Sequence, residues 1–186
     1  MTSLLQLKVL LADERLDFDL AGYDAAAAND RVALAWLLDN GWDWKGFRAR
    51  GAGTAAATHA HISLLEWMRG QGYDLHPDMW RGAVEGGHGD VLDWLNQHGC
   101  PTSDMGRACS LAASRGEEAR IEQLLNYNLP INSEGCYIGA AEQGHLDTLK
   151  WLHKNVGGWN SSAYNSVMMM GGDDDDIAEW ADSVEP

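Results

Sequence analysis

The chain has 186 residues, 45% hydrophobic and 22% charged, which is the composition of a folded protein and not of a disordered one. Its length supports one domain with a substantial core. A formal net charge of −15 at pH 7 sets the surface against phosphate backbones and anionic lipid, so neither nucleic acid nor a membrane is expected as a partner.

The first apolar stretch, Leu4, Leu5, Leu7, Val9, Leu10 and Leu11, is broken by Gln6 and Lys8 and runs into Asp13 and Glu14. It is too short to span a bilayer and lacks a small-residue cleavage site, so residues 1–18 are expected to form a helical N-terminal cap and not a leader. From there the chain repeats. Five segments align on Asn29, Ala60, Gly87, Gly116 and Gly144, at steps of 31, 27, 29 and 28 residues. They occupy residues 19–43, 44–73, 74–101, 102–130 and 131–158.

Each segment predicts two helices. Four residues before the anchor stands an alanine every time (Ala25, Ala56, Ala83, Ala112, Ala140), on a short first helix where a small side chain lets a neighbouring helix come close. The anchor suits a tight turn between antiparallel helices. Five residues later come Leu34, Leu65, Leu92, Ile121 and Leu149, and eight later Leu37, Met68, Leu95, Leu124 and Leu152, one buried face of a second helix. Trp36, Trp67, Trp94 and Trp151 recur at plus seven, with Gln123 in the fourth segment. At plus twelve, Gly41, Gly72, Gly99 and Asn128 suit a left-handed helix end, and the fifth segment reaches Gly157 one residue late. A single helix pair of this kind cannot bury its own apolar face, so the pairs are expected to stack.

Residues 159–186 carry the pattern in degenerate form, with Gly172 in the anchor place, Ile177 at plus five and Trp180 at plus eight. They are expected to cap the stack with a polar outer face. The run Asp173–Asp176 is read as carboxylates capping the last helix.

The best-formed segments are Ala140–Leu152 and Ala83–Leu95, the latter followed by Gly99-Cys100-Pro101. They resemble the short, tryptophan-containing ankyrin repeats abundant in amoebae, oomycetes and large DNA viruses, and the resemblance covers most of the chain. The usual Thr-Pro-Leu-His opening is absent; Asp78-Met79-Trp80-Arg81 and Gly135-Cys136-Tyr137-Ile138 stand there. The mean step is also shorter than the usual ~33 residues, so the projecting fingers of that family are expected to be plain turns. The expected fold is therefore all-α, an ankyrin-like helical solenoid of about five short repeats with half-repeat caps.

The resemblance implies a non-catalytic scaffold whose protein partner meets the inter-repeat turns and the exposed ends of the first helices. By position, those residues are Phe47, Arg48, Arg50, Thr58, His59, Glu85, Ser114, Arg115, Glu134, Glu142 and Gln143. Trp42 and Trp44 join them because the longest inter-repeat segment, Gly41–Gly53, gathers those rings with Phe47, Lys45, Arg48 and Arg50, and aromatic residues and arginine are enriched where proteins meet. Two other roles fit the sequence: an adaptor for a ubiquitin ligase or host-directed complex, and an acidic mimic of nucleic acid that blocks a basic protein.

Cys100, Cys109 and Cys136 are an odd set without paired spacing, read as reduced, mostly buried thiols of an intracellular, cytoplasmic protein. The seven histidines lack zinc-ligand spacing; His88 and His145, just after the anchor glycine, match the place of a structural histidine in ankyrin repeats. No nucleophile–base motif or phosphate-cradling loop occurs, so no enzyme activity, cofactor or metal is expected, and the chain is taken as a monomer.

Overall fold

The computed structural model describes residues 4–12, 15–46, 49–103, 105–127, 133–171 and 174–184. Among the described residues there are thirteen α-helices and no strand. The chain divides into two compact units, Met1–Pro101 and Thr102–Pro186, each described by itself.

The first unit holds α1 (Leu4–Ala12), α2 (Phe18–Ala27), α3 (Arg31–Asp39), α4 (Arg50–Thr58), α5 (Ile62–Gly70), α6 (Asp78–Gly86) and α7 (Gly89–Gln97). Helices α2/α3, α4/α5 and α6/α7 pair as hairpins, and α4 packs between α2 and α6. The second unit holds α8 (Met105–Ser114), α9 (Glu118–Asn126), α10 (Ser133–Glu142), α11 (Leu146–Asn155), α12 (Ser161–Gly171) and α13 (Asp175–Ser183). Here α8/α9, α10/α11 and α12/α13 pair, and α10 packs between α8 and α12. The C-terminal segment, expected as a half-repeat, is thus a complete hairpin.

The anchor column has one backbone geometry throughout. Asn29 and Ala60 lie at φ 56°, and Gly87, Gly116 and Gly144 at 76°, 67° and 72°, all left-handed. This conformation lets the next residue's N–H turn back to the carbonyl of the column alanine: Asp30 to Ala25 at 2.8 Å, His61 to Ala56 at 2.9 Å, His88 to Ala83 at 2.9 Å, Glu117 to Ala112 at 3.0 Å and His145 to Ala140 at 2.9 Å. The anchor's own N–H reaches the carbonyl one residue further on, as from Gly144 to Ala141 at 3.1 Å. These paired bonds are the Schellman helix ending, which satisfies carbonyls that a helix terminus otherwise leaves bare.

The second helices of the first unit close in the same way. Gly41, Gly72 and Gly99 have φ of 94°, 88° and 66°, and Trp42, Tyr73 and Cys100 donate to Leu37, Met68 and Leu95 at 3.0, 2.9 and 3.0 Å. In α11 the ending slips by one residue because Val156 stays right-handed; Gly157 then turns left-handed at φ 71°.

Three starts, those of α2, α3 and α13, carry a side-chain cap. Asp17 accepts from the N–H groups of Asp19 and Leu20 at 3.0 and 3.1 Å, and Asp30 from Ala33 at 2.9 Å. In the acidic run, Asp174 caps α13 by accepting from Asp176 and Ile177 at 3.1 and 3.3 Å. Asp173 lies outside the described residues.

Packing follows the columns. The column alanines are nearly all fully buried, as are the leucines, isoleucine and methionine at plus five and plus eight. Close approach is set by glycine: a Cβ on Gly82 would lie 2.8 Å from Thr54 O, and one on Gly139 would press into Ser110 O. Among the described residues no helix is long and apolar enough to cross a membrane.

The cysteine reading is corrected here. Cys109 on α8 and Cys136 on α10 form a disulfide, with Cα atoms 5.8 Å apart; only Cys100 is a thiol. Their separation of 27 residues falls one short of the 28-residue step between Gly116 and Gly144, so stacking the two first helices sets the cysteines side by side.

Replacing Ala60 by glycine is expected to stabilise the protein by about 0.5–1 kcal/mol, since relief of Cβ–carbonyl crowding outweighs glycine's larger unfolded-chain entropy. Gly144→Ala is expected to cost about 1 kcal/mol at its left-handed φ. Urea midpoints at constant m-value measure both.

Candidate functional site

The sequence-derived site residues fall into two groups. Trp42 and Trp44 belong to the interior, only 6% and 5% exposed, and are corrected from partner-binding to core. Trp42 lies over Gly22, leaving no room for a Cβ there, and its Nε1–H donates to Asp19 Oδ1 at 3.1 Å. The Trp44 ring centroid stands 5.8 Å from Trp42, 5.9 Å from Trp67 and 5.4 Å from Tyr73, the last two edge to face. Such pairs add about 0.5–1.5 kcal/mol beyond area burial, which makes this cluster a structural centre of the first unit.

Tyr73 completes it. Its hydroxyl accepts from Gly53 N–H at 3.0 Å and donates to Arg50 O at 3.1 Å. Burial pushes its pKa from 10 to about 12, while the Gly53 N–H pulls it the other way. A Cβ on Gly53 would come 2.5 Å from that hydroxyl, so glycine is required for the ring to seat.

The sequence held a signal for these rings that the column reading missed. Seven before and thirteen after each anchor stand Gly22 with Trp42, Gly53 with Tyr73, Trp80 with Cys100, Cys109 with Leu129, and Tyr137 with Gly157. A large residue at one place answers a small one at the other. Where the first helix supplies the ring, its polar tip closes on the loop: Trp80 Nε1–H donates to Pro101 O at 2.9 Å, and Tyr137 O–H to Gly157 O at 3.1 Å.

Seven of the remaining candidates sit at or just past the C-terminal ends of the first helices. In the first unit these are Thr58 and His59 around the end of α4 and Glu85 on α6; in the second, Ser114 and Arg115 around the end of α8, and Glu142 and Gln143 around the end of α10. Because α4 and α6 lie side by side in register, as do α8 and α10, each unit brings its own set to one edge. His59, Glu85, Arg115, Glu142 and Gln143 are exposed there. Glu85 pairs with Arg81 at 3.3 Å, an exposed contact worth little. Thr58 and Ser114 are half-buried and donate to carbonyls of their own helices, Thr54 O and Leu111 O, both at 2.9 Å. Glu134 stands apart at the start of α10, accepting from Ser162 Oγ at 2.7 Å. Arg50 is exposed at the start of α4. Phe47 and Arg48 lie outside the described residues.

Histidines fix the edges from behind. His61 Nε2–H donates to Ala27 O at 3.0 Å, and His145 Nε2–H to Ser114 O at 3.0 Å. A carbonyl can only accept, so these contacts set the tautomer with the proton on Nε2. Each bond runs from the start of one second helix to the end of the preceding first helix. His145 thus takes the structural place expected of it, and His61 joins it at the equivalent position.

Among the described residues, no group of three His, Cys, Asp or Glu side chains is placed to hold a metal ion. No protein-family model matches the chain, and comparison with curated proteins finds no relative.

Two outcomes test this geometry. A tyrosine whose pKa is higher folded than unfolded leaves stability intact below pH 10 and erodes it as pH climbs towards 12. For Tyr73 the loss is at most about 1.4 kcal/mol per pH unit, and Tyr73→Phe should remove about one proton's worth of slope from an alkaline denaturation series. His145→Ala should lower urea stability by about 1 kcal/mol, the net worth of one hydrogen bond.

Proposed function

We propose that this chain is a non-catalytic, ankyrin-like interaction scaffold, a solenoid of five short repeats followed by a sixth, acidic hairpin. The partner is a protein, docking on the first-helix ends that line up within a unit. One observation carries the reading: all five anchors are left-handed, and each closes the first helix with the same bonds. His59, Glu85, Arg115, Glu142 and Gln143 therefore project from backbone already fixed before any partner arrives. Pre-ordered backbone saves the entropy that a flexible loop would lose on binding, so modest contacts yield useful affinity.

The chemistry of each unit's edge is polar. The first unit offers an imidazole and a carboxylate, at His59 and Glu85, and the second a guanidinium, a carboxylate and an amide, at Arg115, Glu142 and Gln143, with no large apolar side chain among them. Such a surface suits a polar, hydrogen-bonding protein face and not an apolar peptide. The core assignment of Trp42 and Trp44 removes the aromatic anchor that the sequence had suggested, and moves the weight of recognition to these helix ends.

The test is site-directed photo-crosslinking in native cell extract. A photoreactive side chain at His59, Glu85, Arg115 or Glu142 should yield a discrete adduct, and the same group at Glu66 on α5 or Lys154 on α11 should not. Adducts confined to the second helices would overturn the proposed face, and adducts at every position alike would mark non-specific capture and overturn it too.

A further inference from the structure

We propose that the Cys109–Cys136 bond is a covalent lock on the docking edge of the second unit, set as the chain folds and not reset in the native protein. The lock itself is independent of any partner; its regulatory meaning rests on the docking reading given above.

The bond joins α8 and α10, the two helices whose ends carry Ser114, Arg115, Glu142 and Gln143. The turn that follows α10 is tied to the end of α8 near that edge by the bond from His145, the N-cap of α11, to Ser114 O at 3.0 Å. One crosslink holds the shafts of the helices and the other holds the tips. The four side chains thereby keep a common frame, and loss of the sulfur bond leaves packing and hydrogen bonding with no covalent tie.

Permanence follows from burial. Thiol–disulfide exchange needs a thiolate to strike a disulfide sulfur along the S–S axis, and both cysteines are 0% exposed. No internal nucleophile takes its place, because Cys100 is buried, donates to His76 O at 3.3 Å, and burial pushes its thiol up to about 12. The state of the pair is therefore decided before α8 and α10 close over it. In the closing step, oxidised glutathione or a protein disulfide of that class accepts two electrons. Two Cys thiols lose two protons, one S–S bond forms between Cys109 and Cys136, and the oxidant's S–S bond breaks to two thiols. A chain folded under oxidising conditions and one folded under reducing conditions are then two long-lived forms of the same protein, differing in the firmness of one docking edge.

The experiment refolds the full chain from urea, one arm with a glutathione redox pair and one with a phosphine reductant, then alkylates in denaturant and weighs the intact chain. The oxidised arm should carry one alkyl group, on Cys100, and the reduced arm three. Native oxidised protein held in dithiothreitol should stay at one, and reach three only when urea is added. Amide exchange across α8 and α10 should be at least about tenfold faster in the reduced form, with α4 and α6 unchanged. The Cys109→Ala, Cys136→Ala double variant should exchange like the reduced form in both arms. Three alkyl groups or a glutathione adduct in the oxidised arm, rapid reduction without urea, or equal exchange in the two forms would each overturn the lock. These readouts need no partner, so failure of both forms to crosslink a partner would count against the docking reading and leave the lock standing.

Discussion

A single left-handed residue between the two helices governs the architecture of five hairpins, α2/α3 to α10/α11; the corresponding Gly172 lies outside the described residues. An L-residue with a side chain resists that conformation, yet two of the five anchors, Asn29 and Ala60, adopt it. They are held there because the turn does several tasks at once. The residue after the anchor closes the first helix with its N–H and serves as N-cap of the second helix, at Asp30, His61, His88, Glu117 and His145 alike. At His61 and His145 it also reaches back to the preceding hairpin. Helix ending, helix start and hairpin-to-hairpin contact therefore pass through two consecutive residues, and a shift at the anchor would disturb all three.

This coupling explains why the aromatic residues can move about while the frame does not. Beside four of the first helices, α2, α4, α6 and α10, one buried ring fills the same place, Trp42, Tyr73, Trp80 and Tyr137. In the first two hairpins the ring arrives from the turn after the second helix, and glycine on the first helix admits it. In the α6/α7 and α10/α11 hairpins the ring grows from the first helix itself, and the turn residue is small. Interior packing rewards filled volume and tolerates either route, provided total volume is kept. At α8 the same first-helix place holds Cys109, and its neighbour across the helix pair is Cys136. The disulfide thus starts from the helix position that carries a ring in α6 and α10.

What was legible in the sequence follows from the same physics. Left-handed turns and close helix approach restrict residue type at a fixed offset, so Gly87, Gly116, Gly144 and the column alanines announce themselves to anyone aligning the chain with itself. Leu34, Leu65 and their kin were readable for a related reason, since burial on one helix face recurs with the helix period. Trp42 and Trp44 were misread because composition alone does not separate an aromatic cluster on a surface from one beneath it. The deciding feature was Gly22, twenty residues upstream of Trp42, whose missing side chain opens the space for the ring. The cysteine pair was missed because pairing depends on distance in space, and 27 residues looks remote until it is divided by the repeat length.

The division of labour along each first helix bears on where a partner would dock. Residues three to five before the anchor are committed: their carbonyls accept from N–H groups of the turn, or they lie within van der Waals reach of the next helix. Second helices are committed on one face by their leucines, and their outward faces carry scattered charge without a shared frame. The two residues just before the anchor are different. The exposed ones among them, His59, Glu85, Arg115, Glu142 and Gln143, differ from hairpin to hairpin in charge, size and polarity while the backbone beneath them keeps one geometry. Exposed side chains on fixed backbone are what selective recognition requires, and in each unit these helix ends line up along one edge.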